Sequence, residues 1–326
     1  MQVLKIENLH KSFSTTSVLK GISLSLQEGE ILSILGESGC GKSSLLGCIA
    51  GFFEINEGEI YIEDKLVASK NLYLPPQQRD VGVLFQDYAL FPHLNVKENI
   101  CFGISHLNKN EQNKRLDELL EILNLNELLC RYPNELSGGQ AQRVALARTI
   151  VARPKLVLFD EPFSNLNHAL SVKMRKEIKN ILKAHKLSAI FVTHDKEDAF
   201  YLSDNIALIH EGKILDYNDA YNLYYFPKNI ESARFLGEAF YIDEAKISDF
   251  AFKEYLKKKN GILRPNDLKI SKNQTSLQAL VLECNFYGEF YEIVLDLKGN
   301  KFSIYHNEKI TIGEKIYLKL NNIKDL

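Results

Sequence analysis

Apolar positions along the chain fall into two spacings. Residues 3–9 (VLKIENL), 22–26 (ISLSL) and 57–67 (EGEIYIEDKLV) alternate apolar and polar, the period of a half-buried strand. Residues 30–36 (EILSILG), 155–161 (KLVLFDE) and 188–194 (SAIFVTH) are more continuously apolar, as expected of strands covered on both faces. The second run ends in two acids and the third in a histidine. Helical spacing lies between these runs. The stretch after Ser43 (SLLGCIAG) predicts a helix that Gly51 ends. Residues 109–130 predict a helix with Leu116, Leu119, Leu120 and Leu123 on one face. Residues 137–153 predict another, stopped by Pro154. Residues 205–215 (NIALIHEGKIL) predict a hairpin turning near Glu211-Gly212. There is no internal repeat.

The pattern changes after about residue 240. A short Lys-rich stretch of helical character comes first. From Leu277 onward nearly everything is strand and turn, punctuated by Gly299-Asn300 and Gly313. The expectation is an α/β domain over 1–237, with a helical subdomain at about 87–154, then a linker and a small all-β domain over 238–326. A length of 326 residues accommodates two domains.

Composition narrows the class. Apolar residues make up 45% and charged residues 25%, as in globular proteins. The net charge of -2 implies no basic face, so no nucleic-acid partner is expected. The five cysteines, at 40, 48, 101, 130 and 284, have neither metal-ligand spacing nor the look of a disulfide framework, which fits a reducing cytosol. The opening MQVLKIENLHKSF has no apolar core, so no secretory signal is expected. No apolar run reaches the ~18 residues of a membrane span, so action at a membrane would require a partner.

The chemistry begins at 36–44, GESGCGKSS. Gly36, four residues, then Gly41, Lys42 and Ser43 have the spacing of a phosphate-binding loop, and the loop lies between a strand and a helix as that motif requires. Gly36, Ser38, Gly39, Cys40, Gly41 and Ser44 would form the backbone cradle, an anion nest at a helix N-terminus. Lys42 would reach the β- and γ-phosphates, and Ser43 would hold Mg²⁺. Cys40 reads as a small residue the loop tolerates. Asp160, ending a buried strand, suits a hold on the same Mg²⁺. Glu161 beside it is placed to polarise an attacking water. Residues 136–140, LSGGQ, offer a second anion site: Ser137 and Gln140 can cap a helix whose start Gly138 and Gly139 leave bare. One nucleotide needs one phosphate loop. The second site makes sense if each chain presents it to the nucleotide on another copy, across a two-fold axis.

These motifs, in this order over about residues 2–240, resemble the ATP-binding-cassette (ABC) ATPases. The resemblance implies ATP as the nucleotide and a head-to-tail homodimer with ATP sandwiched between copies. It also implies three further site residues. Gln86, in GVLFQDYALFP, is similar to the glutamine that ligates Mg²⁺ and water and senses the transporter. His194, in FVTHD, is similar to the switch histidine at the γ-phosphate. Phe13 resembles the aromatic on which adenine stacks, a role that needs only a π-face. One departure is plain. The family segment Ser-Ala-Leu-Asp reads Ser164, Asn165, Leu166, Asn167 here, so the charge of the last position is lost.

The run from 44 to 137 holds no heptads, unlike chromosome-clamping relatives, and the chain has one phosphate loop, unlike translation-factor relatives. What remains is a separate ATPase subunit docking on integral membrane permease subunits. The C-terminal strands, opened by LRPNDL (263–268), resemble the OB-type barrel of importer ATPases. The expected fold is therefore an α/β P-loop ATPase with antiparallel β and helical subdomains, followed by a small all-β OB-type barrel. RYPNELSGGQ (131–140) and FLGEAF (235–240) look most like ferric-iron importer ATPases. Polyamine, sulfate, molybdate or sugar import are the alternatives. The resemblance further implies a solute-binding protein as an indirect partner and a place at the cytoplasmic face of a bacterial inner membrane. A reading of another class is a soluble regulatory ATPase without membrane partners.

Overall fold

The continuously apolar run at 30–36 forms the strand Ile31–Gly36, with all 6 residues buried. It lies near the middle of a 6-stranded sheet in the computed structural model, which describes residues 1–243, 260–275, 277–297, 299–320 and 324–325. In sheet order the strands are Lys213–Asn218, Asn205–His210, Ile31–Gly36, Ser188–Thr193, Leu156–Asp160 and Val81–Leu84. All neighbours run parallel except the first two, which form the expected hairpin. Glu211 (φ 46) and Gly212 (φ 80) make its turn, both left-handed as a two-residue loop of the favoured twist requires. Ser188–Thr193 is buried throughout, because helices or a second sheet cover both faces.

The alternating segments near the N-terminus pair antiparallel. Gln2–Phe13 and Thr16–Gln27 form one long hairpin, and Glu57–Ile62, Lys65–Ser69 and Leu72–Tyr73 extend that sheet. Its inward residues, among them Leu4, Ile6, Leu9, Leu19 and Ile22, pack with the helix Lys42–Ala50 into one core. The helical subdomain builds a second core: Ile100, Leu116, Leu120, Leu123, Val144 and Ile150 meet Phe159 and Phe191 of the parallel sheet. Burying a side chain of this size stabilises the fold by about 1.5–3 kcal/mol.

The alternating segment 57–67 is not one strand but two, Glu57–Ile62 and Lys65–Ser69, because Glu63 (φ 48) and Asp64 (φ 61) turn left-handed between them. Three further boundaries shift for local reasons. The helix expected over 109–130 spans Lys109–Leu123, because Asn124 turns left-handed at φ 52. The helix expected over 137–153 spans Gly138–Ile150, and Arg153 turns left-handed at φ 56 before Pro154. The strand expected over 155–161 ends at Asp160, since Glu161 leaves it at φ 44. The helix His168–Ala184 lies outside the elements predicted from sequence.

The described residues divide into two compact units, Met1–Ala220 and Tyr221–Leu326. The second contains two short helices, Ala220–Tyr225 in its greater part and Ile230–Leu236, then antiparallel strands of OB-type, half-barrel character. A 5-stranded sheet runs Leu268–Ser271, Lys315–Leu320, Leu277–Phe286, Tyr291–Leu297 and Asn300–His306, around a core that includes Val281, Ile293, Leu295, Ile304 and Leu318. In LRPNDL, Arg264 is buried, and its guanidinium donates twice to the Tyr224 carbonyl, at 3.0 and 2.8 Å. The Lys-rich helical stretch expected after residue 240 lies outside the described residues.

Candidate active site

The phosphate loop needs glycine where the backbone is tightest. Gly41 sits at φ 107 at the start of the helix Lys42–Ala50, and a Cβ there would meet Leu19 Cδ2 at 2.9 Å. A Cβ on Gly36 would lie 2.6 Å from the Ile209 carbonyl oxygen and 2.5 Å from Cys40 Sγ. Lys42 is buried, and its ammonium donates to the carbonyls of Gly36 and Glu37, each at 2.8 Å. The loop thus holds its own cation inside its curve. Ser38, Gly39 and Ser43 are exposed at the rim, with Ser44 half-buried behind them. Burial pushes the Cys40 thiol up, against the pull of Lys42, so this residue fills the loop as a neutral group.

The ends of neighbouring strands supply the acids. Ser43 Oγ donates to Asp160 Oδ1 at 3.1 Å. Burial raises the Asp160 pKa, opposed by the Ser43 hydrogen bond, and Glu161 pushes it further up. Glu161 lies at φ 44, with its N–H donating to the Val192 carbonyl at 2.9 Å. Its Oε2 lies 3.1 Å from His194 Nδ1. A cavity of about 270 Å³ adjoins the pair, lined by Phe163, Ser164, Arg175 and Asp195 among others.

Gln86 follows the edge strand Val81–Leu84, and its side chain is exposed. Its carbonyl accepts a hydrogen bond from Asn165 Nδ2 at 3.1 Å, which joins it to the segment after Glu161. Ser137 and Gln140 form the expected capping box: Gln140 N–H donates to Ser137 Oγ at 3.4 Å and Ser137 N–H to Gln140 Oε1 at 2.9 Å. Ser137 and Gly138 are exposed, while Gly139 packs on Leu170. Phe13 is 39% exposed, so it is a surface ring and not a core one. The Phe53 ring meets it edge-on at 5.1 Å, and the Lys11 ammonium lies 4.6 Å from its centroid. Asn167 caps the helix His168–Ala184 by accepting from the Leu170 N–H at 2.9 Å.

Two arginines of this region escape sequence reasoning. Arg175 is buried and bonds Asp198 at 2.5 Å, Glu197 at 3.2 Å and Asp195 at 3.2 Å, anchoring the loop that carries His194. A signal existed: Arg175 interrupts an apolar stripe that includes Met174, Ile178, Ile181 and Leu182. Arg148 donates to the carbonyls of Tyr88 and Ala89, at 2.8 and 2.6 Å. Nothing in the local pattern announces that contact.

Residues 19–164 match the family model described as "ABC transporter". The Fe(3+) ions import ATP-binding protein FbpC of Haemophilus influenzae (strain 86-028NP) is 38% identical over 339 aligned positions, covering 98% of this chain and 97% of the relative. The spermidine/putrescine import ATP-binding protein PotA of Thermotoga maritima is 38% identical, covering 83% and 78%. Among solved structures, cbiO1 from Clostridium perfringens, part of the ABC transporter complex cbiONQ, superposes with a TM-score of 0.62 at 28% identity, covering 72% of this chain and 92% of that one. The ATP-binding cassette MJ0796, in a dimeric post-hydrolysis state bound to ADP and Pi, gives 0.58 at 29% identity, covering 66% and 98%. With this loop, these acids and these relatives, the chain belongs to the ABC transporter family, as a subunit that binds and hydrolyses ATP.

Proposed function

We propose that this chain energises uptake of ferric iron through separate integral membrane permease subunits, and that it works at the cytoplasmic face of the membrane they span. One observation carries the choice of iron. Identity to the H. influenzae iron-import relative runs through 98% of this chain, the C-terminal unit included, whereas the T. maritima polyamine-import relative matches 83%. No helix among the described residues is long and apolar enough to cross a membrane, so the membrane path would belong to other subunits.

The mechanism assigns each residue a task. Backbone N–H groups from Gly36 to Ser44 cradle the ATP phosphates, and Lys42 turns its ammonium from the loop carbonyls toward them. Phe13 offers its ring to adenine. The Ser43 hydroxyl and the Asp160 carboxylate, 3.1 Å apart, are hard oxygen donors that suit Mg²⁺. The Gln86 amide oxygen would be a further ligand. A cation there offsets the burial that raises the Asp160 pKa. Held there, Mg²⁺ would supply positive charge against the negative charge of the nucleotide phosphates. Glu161 takes the proton of the attacking water, and His194 holds the carboxylate and faces the γ-phosphate. The capped start of the helix Gly138–Ile150, where Ser137 and Gly138 are exposed, offers the Ser137 hydroxyl, Gln140 and the backbone N–H groups of Gly138 and Gly139 to the γ-phosphate on a second copy, head to tail. Closure of the two copies around ATP then moves the permease subunits, and product release reopens them. A solute-binding protein delivers the iron from outside.

Labelled ferric-iron uptake in cells expressing the wild type or Glu161→Gln at matched levels tests the assignment, with spermidine uptake measured in parallel. Loss of iron uptake alone is the expected result. Loss of spermidine uptake alone would replace iron by polyamine and leave the ATPase in place.

A further inference from the structure

The backbone from Gln86 to Ala89 is held by side chains from two other elements. Asn165 donates to the Gln86 carbonyl at 3.1 Å, and Arg148 donates to those of Tyr88 and Ala89 at 2.8 and 2.6 Å. The segment needs such restraint. Tyr88 lies at φ 62 and Ala89 at φ 44, a left-handed pair that residues with a Cβ rarely adopt. The Arg148 guanidinium also lies 5.4 Å from the Phe91 ring centroid. Its planar fork reaches two carbonyls at once, which a lysine cannot reproduce. The two restraining residues come from telling places. Arg148 is in the last turn of the helix that begins at Ser137, and Asn165 is in the turn that follows Glu161. Asn165 is exposed, so its bond to Gln86 is not forced by packing.

We propose that Asn165 and Arg148 are positioning residues for Gln86. They hold its backbone so that the side chain meets the hydrolytic site, and they tie it to the two segments that face a second copy. A shift of the helix behind Ser137, or of the turn after Glu161, then moves Gln86 directly. The proposal rests on Gln86 acting in hydrolysis, as proposed above.

The test uses the full chain with Asn165→Ala, Arg148→Lys and Gln86→Ala, each assayed for ATP hydrolysis and for amide hydrogen exchange across residues 86–91. Asn165→Ala is expected to lower kcat about fivefold, the effect of one neutral hydrogen bond, with KM for ATP within about twofold. Arg148→Lys is expected to lower it further. Both should speed exchange across 86–91 in the nucleotide-free chain, while Asn165→Ala leaves Tm unchanged. Gln86→Ala should lower kcat without speeding that exchange. If Gln86→Ala lowers kcat while Asn165→Ala changes neither kcat nor exchange, the positioning role is wrong and the role of Gln86 stands. If Gln86→Ala leaves kcat unchanged, both are wrong.

Discussion

His194 Nδ1 and Glu161 Oε2 lie 3.1 Å apart, at the ends of neighbouring parallel strands. The register of Leu156–Asp160 beside Ser188–Thr193 pairs Asp160 with Val192, so the two residues that follow the strands emerge together. Glu161 takes a left-handed φ at this point, a conformation that turns its carboxylate out of the strand direction. With Nδ1 donating to the carboxylate, the other ring nitrogen is left for a ligand. His194→Ala is expected to lower kcat by about 10²-fold or more, with a smaller change in KM for ATP. Steady-state hydrolysis over a range of ATP concentrations checks it; equal kcat would leave the imidazole a bystander.

Asn167 departs from the family's aspartate yet keeps the helix cap, because both side chains accept from a backbone N–H. Asn167→Ala should destabilise the chain by about 1 kcal/mol, lowering Tm by about 2–4 °C. Asn167→Asp should hold or slightly raise Tm, since a negative charge at a helix N-terminus is favourable. Thermal melts of the nucleotide-free chain distinguish a capping role from none. An Asn167→Ala melt equal to wild type would remove the capping argument.

Cys48, in the helix behind the phosphate loop, is wholly buried, and burial raises its pKa to about 11. The sign follows from linkage: the unfolded thiol loses its proton near its ordinary pKa of 9.0, before the folded one does. The contribution of Cys48 is therefore complete below pH 9.0 and is lost as pH rises toward about 11. Stability measured against pH should fall more steeply in wild type than in Cys48→Ala across that window. Parallel curves would contradict the assigned burial effect. At neutral pH exposed Cys130 should react with a thiol reagent well before Cys40 or Cys48.

Much of this site is legible in sequence because its signals are local. The Gly-Lys-Ser spacing, the strand before it and the helix after it are neighbours along the chain. Ser137 and Gln140 announce their cap by spacing alone. Contacts between segments far apart along the chain are not local in this sense. Asn165 bonding Gln86 joins residues that no period connects, and Arg148 reaching Tyr88 and Ala89 is equally remote. The left-handed backbone at Glu161 is invisible for another reason: glutamate has no special preference for it, and the surrounding strands impose it. The helix His168–Ala184 went unpredicted: its apolar stripe of Met174, Ile178, Ile181 and Leu182 is a local signal, but Arg175 within that stripe blurs it.

Glu161→Gln, incubated with ATP and Mg²⁺ and examined by sedimentation beside the nucleotide-free protein, tests the central claim most directly. The substitution keeps the shape of the side chain and removes the proton acceptor. The expected result is hydrolysis slowed by about 10²- to 10⁴-fold and a stable two-copy species that appears only with ATP. A Glu161→Gln protein that hydrolyses ATP at the wild-type rate, or that stays a single copy when saturated with ATP, would contradict it.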